Sequence, residues 1–220
     1  GNDKIHVGQT ARRMPASKDL DFTDIAIGKN FTLGVTSSGF LYGWGKLWGL
    51  GNEGKISVLE PTALSLEPKF KKVAAGQHHG CAVDADGQVY TFGKYPSADG
   101  GFFSFLSAGP DGGWLGHGNH ENCDTPTKIA TFEEYGARAK QVACGYMHTL
   151  ILTDDGEVLS CGVGESGRLG TGNTDVCMTP TSIDALLNET VTQIAAGASC
   201  WGNRCRRKVK WRGLAGICSR

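Results

Sequence analysis

Residues 73–76 read Val-Ala-Ala-Gly, and closely similar elements occur at three other places in the chain. The four copies are Ile25-Ala26-Ile27-Gly28, Val73-Ala74-Ala75-Gly76, Val142-Ala143-Cys144-Gly145 and Ile194-Ala195-Ala196-Gly197. After each of the first three copies, a second glycine follows 11 residues after the glycine of the element, and a third follows 6 residues later. These later glycines are Gly39 and Gly45, Gly87 and Gly93, and Gly156 and Gly162. Such fixed offsets identify an internal repeat of roughly 50 residues.

The second half of each unit repeats as well. A Leu-Gly pair precedes a proline that lies 10 positions after the glycine: Leu50-Gly51 and Pro61, Leu115-Gly116 and Pro126, Leu169-Gly170 and Pro180. Glycine accounts for 33 of the 220 residues, whereas proline accounts for only 7. Since average glycine usage is about 7%, this composition indicates a chain with many tight turns.

Each unit has the pattern of four short strands. The turn glycine follows Asp86 in one unit and Asp155 in another, and apolar runs flank both dipeptides. Asp-Gly between such runs is typical of a β-hairpin. A first strand that ends in the Ala-Gly step and a last strand after the proline bring the count to about four, as in a β-propeller blade.

The repeat therefore predicts an all-β fold, a partial β-propeller of about three complete four-stranded blades with incomplete blades at both ends. The predicted divisions are a remnant of a preceding blade (1–24), repeat 1 (25–72), repeat 2 (73–141) with a loop insertion (94–112), repeat 3 (142–193), the start of repeat 4 (194–200) and an atypical basic tail (201–220). The tail lacks the turn glycine that the repeat requires at position 208. We expect it not to complete the fourth blade.

Three motifs carry a resemblance to a known family. They are Val-Ala-Ala-Gly-x-x-His at 73–79, Asp-Gly-x-Val-Tyr-x-Phe-Gly at 86–93, and Gly-x-Leu-Gly-x-Gly with a proline eight residues on at 167–180. Across residues 25–200 the chain resembles the repeat of the regulator of chromosome condensation family. The resemblance implies a seven-bladed propeller, which needs roughly 350 residues at about 50 per blade. We therefore expect this chain to be part of a longer protein.

The repeat also assigns structural roles. His79 and His148 recur at one offset, which favours histidines buried between blades, where each ring can donate one hydrogen bond and accept another. Gly39, Gly87 and Gly156 are assigned as turn glycines. Phe31 and Cys200 occupy the histidine position in the other two units.

Signals for catalysis are weak. The chain has no Gly-x-Ser-x-Gly element and no phosphate-binding loop, so we assign no catalytic residue, no metal and no cofactor. A metal-dependent enzyme is the alternative in which His79, His148 and Cys81 converge, although no two ligands have the spacing of a metal-binding pair. The eight cysteines form no Cys-x-x-Cys pair, which favours buried thiols in a reducing compartment, the cytoplasm or the nucleus.

The insertion is the segment that the repeat does not explain. The interval from Gly93 to Gly116 is 15 residues longer than that from Gly162 to Gly170. Long loops that a scaffold does not need often carry function, and aromatic side chains are common interface anchors. The candidate partner-binding residues are Tyr95, Phe102, Phe103, Phe105 and Trp114. The alternative is that the phenylalanines fold back onto the blade.

The distribution of charge and the hydropathy restrict the classes of partner that the chain is expected to bind. Seven of the 22 basic residues lie in the last 18 positions with no acidic residue among them, so we expect nucleic-acid contact only through that tail. No apolar stretch reaches the roughly 18 residues of a membrane span. The leading hypothesis is a non-enzymatic scaffold for a protein partner. The resemblance implies one alternative, a guanine nucleotide exchange factor for a Ran-like small GTPase. A light-sensing member of the family has Gly-Trp-Arg-His motifs, but the matching residues 145–148 read Gly-Tyr-Met-His, with neither tryptophan nor arginine, which argues against a sensor.

Overall fold

The structure is a computed structural model, which describes residues 19–46, 58–94, 112–197 and the backbone of 214–216. Three four-stranded antiparallel sheets account for most of the described chain, and each sheet comes from one repeat unit with its strands in sequence order. Unit 1 contains β1 (Phe22–Ile27), β2 (Phe31–Thr36), β3 (Leu41–Gly45) and β4 (Val58–Ser65). Unit 2 contains β5 (Phe70–Ala75), β6 (His79–Asp84), β7 (Val89–Gly93) and β8 (Cys123–Lys128). Unit 3 contains β9 (Ala139–Cys144), β10 (His148–Thr153), β11 (Val158–Gly162) and β12 (Cys177–Ser182). The predicted all-β partial propeller with three complete blades is confirmed.

A fourth unit begins with β13 (Gln193–Ala195), which packs beside β9 and β10. The short strand β14 (Leu214–Gly216) pairs with β13 in parallel. Within each of the three complete blades, neighbouring strands are antiparallel. The pairing of β14 is therefore not the pairing of a second blade strand. The segment 208–212, on which the sequence argument about the tail depends, lies outside the described residues.

The first strands of successive units lie next to one another, as β1 contacts β5 and β5 contacts β9. This close approach depends on glycine at the strand ends. A Cβ on Gly28 would lie 2.7 Å from Gly76 O, and one on Gly76 would collide with Gly145 O. The backbone N–H of Lys29 donates to Gly76 O at 3.3 Å, and that of Gln77 donates to Gly145 O at 3.3 Å. The repeated glycine thus lets adjacent blades hydrogen-bond through their backbones.

The hairpin turns between the second and third strands join the units at the opposite end. The turn glycines have φ values of 79° for Gly39, 84° for Gly87 and 94° for Gly156. Their carbonyl oxygens accept hydrogen bonds from the start of the next unit: Gly39 from Phe70 N–H at 2.9 Å, Gly87 from Ala139 N–H at 2.8 Å, and Gly156 from Val191 N–H at 3.1 Å. At this end, therefore, the turn glycines form the contacts between units.

The core lies between the blades. Strands β6 and β10 are buried along their whole length, because each is covered on both faces by neighbouring units. Val73 and Val142, on the first strands of units 2 and 3, are buried, whereas the equivalent Ile25 of unit 1 is 53% exposed and Ile27 is 78% exposed. The described part of unit 1 therefore has one open side.

Helix is scarce. The helix α1 (Ala130–Tyr135) connects unit 2 to unit 3, buries Phe132 and ends at Gly136, which has the left-handed conformation common at helix C-termini. Short 3-10 turns occur at Glu165–Gly167 and Asp184–Leu186. Among the residues with described structure, none of the helices has the length and apolar character to cross a bilayer.

Candidate functional site

Three turns form one edge of the molecule, which we call the rim: residues 28–30, 76–78 and 145–147. Each turn connects the first and second strands of its blade and is closed by a hydrogen bond from the glycine N–H to the carbonyl three residues on, at 2.8 to 2.9 Å. The residues after the third strands join them: Lys46 N–H donates to Asn30 O at 2.7 Å, Lys94 N–H to His78 O at 3.4 Å, and Val163 N–H to Met147 O at 2.9 Å. The loops that lead to the fourth strands, including the insertion, therefore start at the rim.

A cavity of about 330 Å³ opens beside the rim, and all four units contribute to its wall. Its lining consists mostly of the glycines and small residues at the ends of the first strands, together with Lys29, Gln77 and Cys144. Lys29 is the charged residue in this wall. Small side chains leave the backbone accessible, so the cavity offers peptide groups and one ammonium group to a ligand.

A hydrogen-bond chain connects unit 2, unit 3 and the end of the insertion. Thr149 Oγ1 donates to Trp114 O at 2.6 Å, and His79 Nε2 lies 2.8 Å from the same hydroxyl oxygen. Because the hydroxyl has a single proton, and that proton goes to the carbonyl, His79 must donate from Nε2. The ring of His79 is fully buried. His79 therefore joins blades 2 and 3 through the Thr149 side chain.

A second chain of hydrogen bonds lies within unit 2. Thr91 Oγ1 donates to Leu115 O at 2.6 Å and is 2.9 Å from His117 Nε2, which is then the donor by the same reasoning. Burial lowers the pKa of His117, so the neutral ring is favoured. Together the two chains hold Trp114 and Leu115 against the sheets.

His148 differs from His79. Its ring is 4% exposed and lies directly against Gly145, yet neither ring nitrogen has a hydrogen-bond partner among the described residues. Burial and the nearby His79 and Arg168 lower the pKa of His148 to about 4, so the ring is neutral near pH 7. In the described structure, His148 therefore fills space and does not form the hydrogen-bonded connection expected from the repeat.

His78 lies on the rim, where its ring centroid is 5.6 Å from that of Tyr146. Burial, the positive charge of Lys29 and the neighbouring His79 lower the pKa of His78 to about 4. The half-buried His78 ring therefore packs, uncharged, against the buried Tyr146 side chain at the boundary between units 2 and 3. Within the described ranges, no group of three or more His, Cys, Asp or Glu side chains is placed to hold a metal ion.

Trp114 does not have the place expected of a partner-binding residue. Its side chain is fully buried and packs with Leu115 and Val163, because the backbone of this segment is held against unit 3. A Cβ on the adjacent Gly113 would lie 2.7 Å from Cys177 O of unit 3. Trp114 therefore anchors the end of the insertion. The other four candidates, Tyr95, Phe102, Phe103 and Phe105, lie outside the described residues.

Two contacts between units escaped the sequence reasoning. The Gln141 side chain forms two hydrogen bonds with the Ile194 backbone, to its O at 2.9 Å and from its N–H at 3.0 Å. The carboxylate of Asp24 accepts from Val73 N–H at 3.0 Å. Both acceptors directly precede the repeated element, but this position reads Asp24, Lys72, Gln141 and Gln193 in the four units, so it gives no common sequence signal. Thr149 was missed because it lies directly after His148, and the repeat assigns a structural role only to the histidine.

Profiles of known families match the chain. The profile described as the regulator of chromosome condensation (RCC1) repeat matches residues 111–152 and 155–201. A second profile with the same description matches residues 70–94 and 139–168. Together these matches cover the second and third blades and the start of the fourth unit.

Full-length relatives are much longer than this chain. The E3 ubiquitin-protein ligase HERC2 of Homo sapiens is 33% identical over 187 residues, which are 81% of this chain and 4% of the relative. The crystal structure of human WBSCR16 has a TM-score of 0.62 at 26% identity, covering 81% of this chain and 45% of that one. Prp20p from Saccharomyces cerevisiae, described together with its binding properties to Gsp1p and histones, has a TM-score of 0.59 at 24% identity, covering 79% and 41% of the two chains. This chain thus spans less than half of each.

Proposed function

Because the chain belongs to the regulator of chromosome condensation (RCC1) repeat family, we propose that it is a non-enzymatic scaffold that binds a protein partner at the rim. The insertion, of which the ends at Lys94 and Trp114 are described, is the second part of this proposed surface. The cytoplasm or the nucleus is the proposed location, because the described cysteines are free thiols, as is usual in reducing compartments.

The turns of the rim carry the proposal, because the cavity to which all four units contribute opens beside them. At the rim, Lys29 and Asn30 are exposed and Gln77 is half-buried. These rim residues also differ between units, so the scaffold does not require them. Exposed residues that vary on a repeated framework are suited to partner recognition.

The ends of the insertion support the same surface. On one side, Lys94 N–H bonds to the carbonyl of His78 in the rim. On the other side, Trp114 is buried and its carbonyl accepts from Thr149. Both described ends are thus fixed near the boundary between units 2 and 3. A loop mounted on rigid ends beside an accessible edge is well placed to add aromatic contacts to an interface.

Charge at the rim indicates the chemistry of the partner. Lys29 and Lys46 are exposed on unit 1, and Lys94 occupies the equivalent position on unit 2, with its ammonium 3.8 Å from the Asp124 carboxylate. Opposite charge raises the association rate and helps to orient two proteins. We therefore propose a partner with an acidic surface.

A photo-crosslinking residue at position 77 tests the scaffold function, with position 138 at the opposite end as the matched control. We expect position 77 to capture one partner in a saturable manner, and unlabelled protein to compete. We expect little capture from position 138. Equal capture from both positions, or capture that unlabelled protein does not reduce, would exclude the rim as the binding surface.

The alternative is guanine nucleotide exchange on a Ran-like small GTPase, which family membership favours. The likeness to Prp20p, at 24% identity, supports only the shared fold. The release of fluorescent GDP from a Ran-class GTPase, with and without the chain, separates the two functions. A scaffold leaves the release rate unchanged, whereas an exchange factor accelerates it.

A further inference from the structure

The cavity beside the rim has two long polar side chains in its wall, one from unit 1 and one from unit 2. They are Lys29 and Gln77, which occupy the same position, directly after the repeated glycine. Among the described residues, no carboxylate lies within ion-pair distance of the Lys29 ammonium, whereas Lys69 and Lys94 each have such a partner. The Gln77 side chain likewise forms no hydrogen bond with the described chain. Both side chains are therefore available to a ligand.

The peptide groups of this wall already bond to one another. Gly76 O accepts from Lys29 N–H, and Gly145 O accepts from Gln77 N–H, both at 3.3 Å. The N–H groups of the three rim glycines close their own turns at 2.8 to 2.9 Å. The strong donors left for a ligand are thus the ammonium of Lys29 and the carboxamide of Gln77. Such a pair favours a ligand that has acceptor oxygens and a negative charge.

The rest of the wall indicates which anion fits. Lys29 is the charged residue of the wall, and one ammonium matches a carboxylate better than a phosphate monoester, which carries about 1.5 to 2 negative charges at pH 7. Ile27, Ala75 and Ala196 make other parts of the wall apolar. Ile27 is 78% exposed, so methylene groups that cover it gain from the burial of apolar surface. A carboxylate at the end of two methylene groups, the side chain of glutamate, has both properties.

The size of the cavity is sufficient for this group. Its volume of about 330 Å³ is many times the roughly 30 Å³ that a water molecule occupies in the liquid, so a glutamate side chain fits. We propose that the cavity receives a glutamate side chain of the protein partner, whose carboxylate is bound by Lys29 and Gln77. This inference rests on the proposed scaffold function, because the glutamate belongs to a partner that binds at the rim.

A small probe tests the cavity without the partner. N-acetylglutamate α-amide, titrated into the isotopically labelled whole chain at low salt, should shift the amide signals of Gly76, Gln77 and Gly145 in a saturable manner. N-acetylglutamine α-amide, the uncharged isostere, should not. Lys29→Met should weaken binding of the glutamate probe at least fivefold. The control Lys46→Met removes an exposed rim cation outside the cavity wall and should change binding less than twofold. The amide spectrum also shows whether each variant is folded.

Equal shifts from both probes, equal weakening in the two variants, or tighter binding of inorganic phosphate than of the glutamate probe would overturn the proposal. Photo-crosslinking from position 30, which is exposed on the rim and leaves Lys29 and Gln77 intact, connects the probe to the partner. A saturating amount of the glutamate probe should reduce partner capture. Undiminished capture would overturn this inference and leave the scaffold function standing. The absence of saturable capture from both position 30 and position 77 would overturn the scaffold function and this inference together.

Discussion

His79 Nε2 donates to Thr149 Oγ1 over 2.8 Å, and this bond crosses from the second blade to the third. The same hydroxyl donates to Trp114 O at 2.6 Å. One buried threonine thus holds together two blades and the end of the insertion. Such a buried chain of hydrogen bonds is costly to interrupt, because removal of one member leaves the others without partners.

Thr149→Val tests this chain of hydrogen bonds. The substitution keeps the shape of the side chain but leaves a buried ring N–H and a buried carbonyl without partners, so the free energy of unfolding should fall by about 2 kcal/mol. Thr32→Val is the control, because Thr32 directly follows Phe31, the residue at the histidine position of unit 1. Chemical denaturation measures both. A loss of equal size in the two variants would contradict the role given to Thr149.

The two histidines should respond differently to the same change. Phe31 already occupies this position in unit 1 and packs against Gly28. His148→Phe should therefore be tolerated near pH 7, since neither ring nitrogen of His148 has a described partner. His79→Phe should lower the free energy of unfolding by about 1–3 kcal/mol, because it removes the ring N–H that donates to Thr149 Oγ1. Thermal unfolding compares the two, and the reverse order would refute this distinction.

The buried His148 also predicts a pH dependence. Its pKa in the folded protein is about 4, below the ordinary value of 6.5, so the unfolded chain binds more protons between these values. Stability from this group is fully present above pH 6.5 and is lost as the pH falls towards 4, by up to about 3 kcal/mol. Unfolding temperatures between pH 7.5 and 4.5 should therefore fall less steeply in His148→Phe than in the wild type. Parallel curves would show that His148 does not contribute.

Substitutions at two glycines distinguish the cost of backbone strain from the cost of disturbed packing between units. Gly156 and Gly167 both have positive φ, but a Cβ on Gly156 would lie 2.9 Å from Thr190 Cγ2, whereas nothing lies within 4 Å of one on Gly167. Gly167→Ala should cost about 1 kcal/mol from strain alone. Gly156→Ala should cost clearly more, since Thr190 must also move. Equal losses in urea denaturation would mean that the turn does not pack tightly on the next unit.

Replacement of residues 95–111 by a short Gly-Ser linker tests the insertion. The fold should survive, because Lys94 and Trp114 are held by contacts with His78 and Thr149 that the deletion leaves in place. Partner binding should be lost. Circular dichroism and thermal unfolding measure the first result. If the deletion unfolds the protein, the phenylalanines belong to the core and not to an interface.

The sequence alone predicts the fold well, because glycine offsets and Asp-Gly turns are local signals that recur in every unit. The turn glycines Gly39, Gly87 and Gly156 have positive φ in the structure. Which side chains meet across the blades is harder to predict. The partner of His79 lies 70 positions away, and nothing local distinguishes His79 from His148.

The candidate site could be predicted only in part, for a related reason. Trp114 was grouped with the exposed aromatics because an aromatic residue beside a long loop looks the same in sequence whether it points outward or anchors the loop. Lys29 and Gln77 were missed because they lie between the repeated glycine and the histidine position, where the repeat imposes no residue type. Their place in the proposed surface rests on exposure and on the cavity, which become visible only in three dimensions.

The most direct test of the rim as the partner-binding surface is a competition measured by photo-crosslinking from position 77. Unlabelled wild-type protein and the control Lys140→Glu, which reverses an exposed charge on β9, should abolish partner capture at the same concentration. Lys29→Glu and the protein lacking residues 95–111 should compete at least tenfold less well, because an acidic partner loses its attraction or its aromatic contacts. Equal competition by all four proteins would contradict the proposal that the rim and its insertion bind the partner.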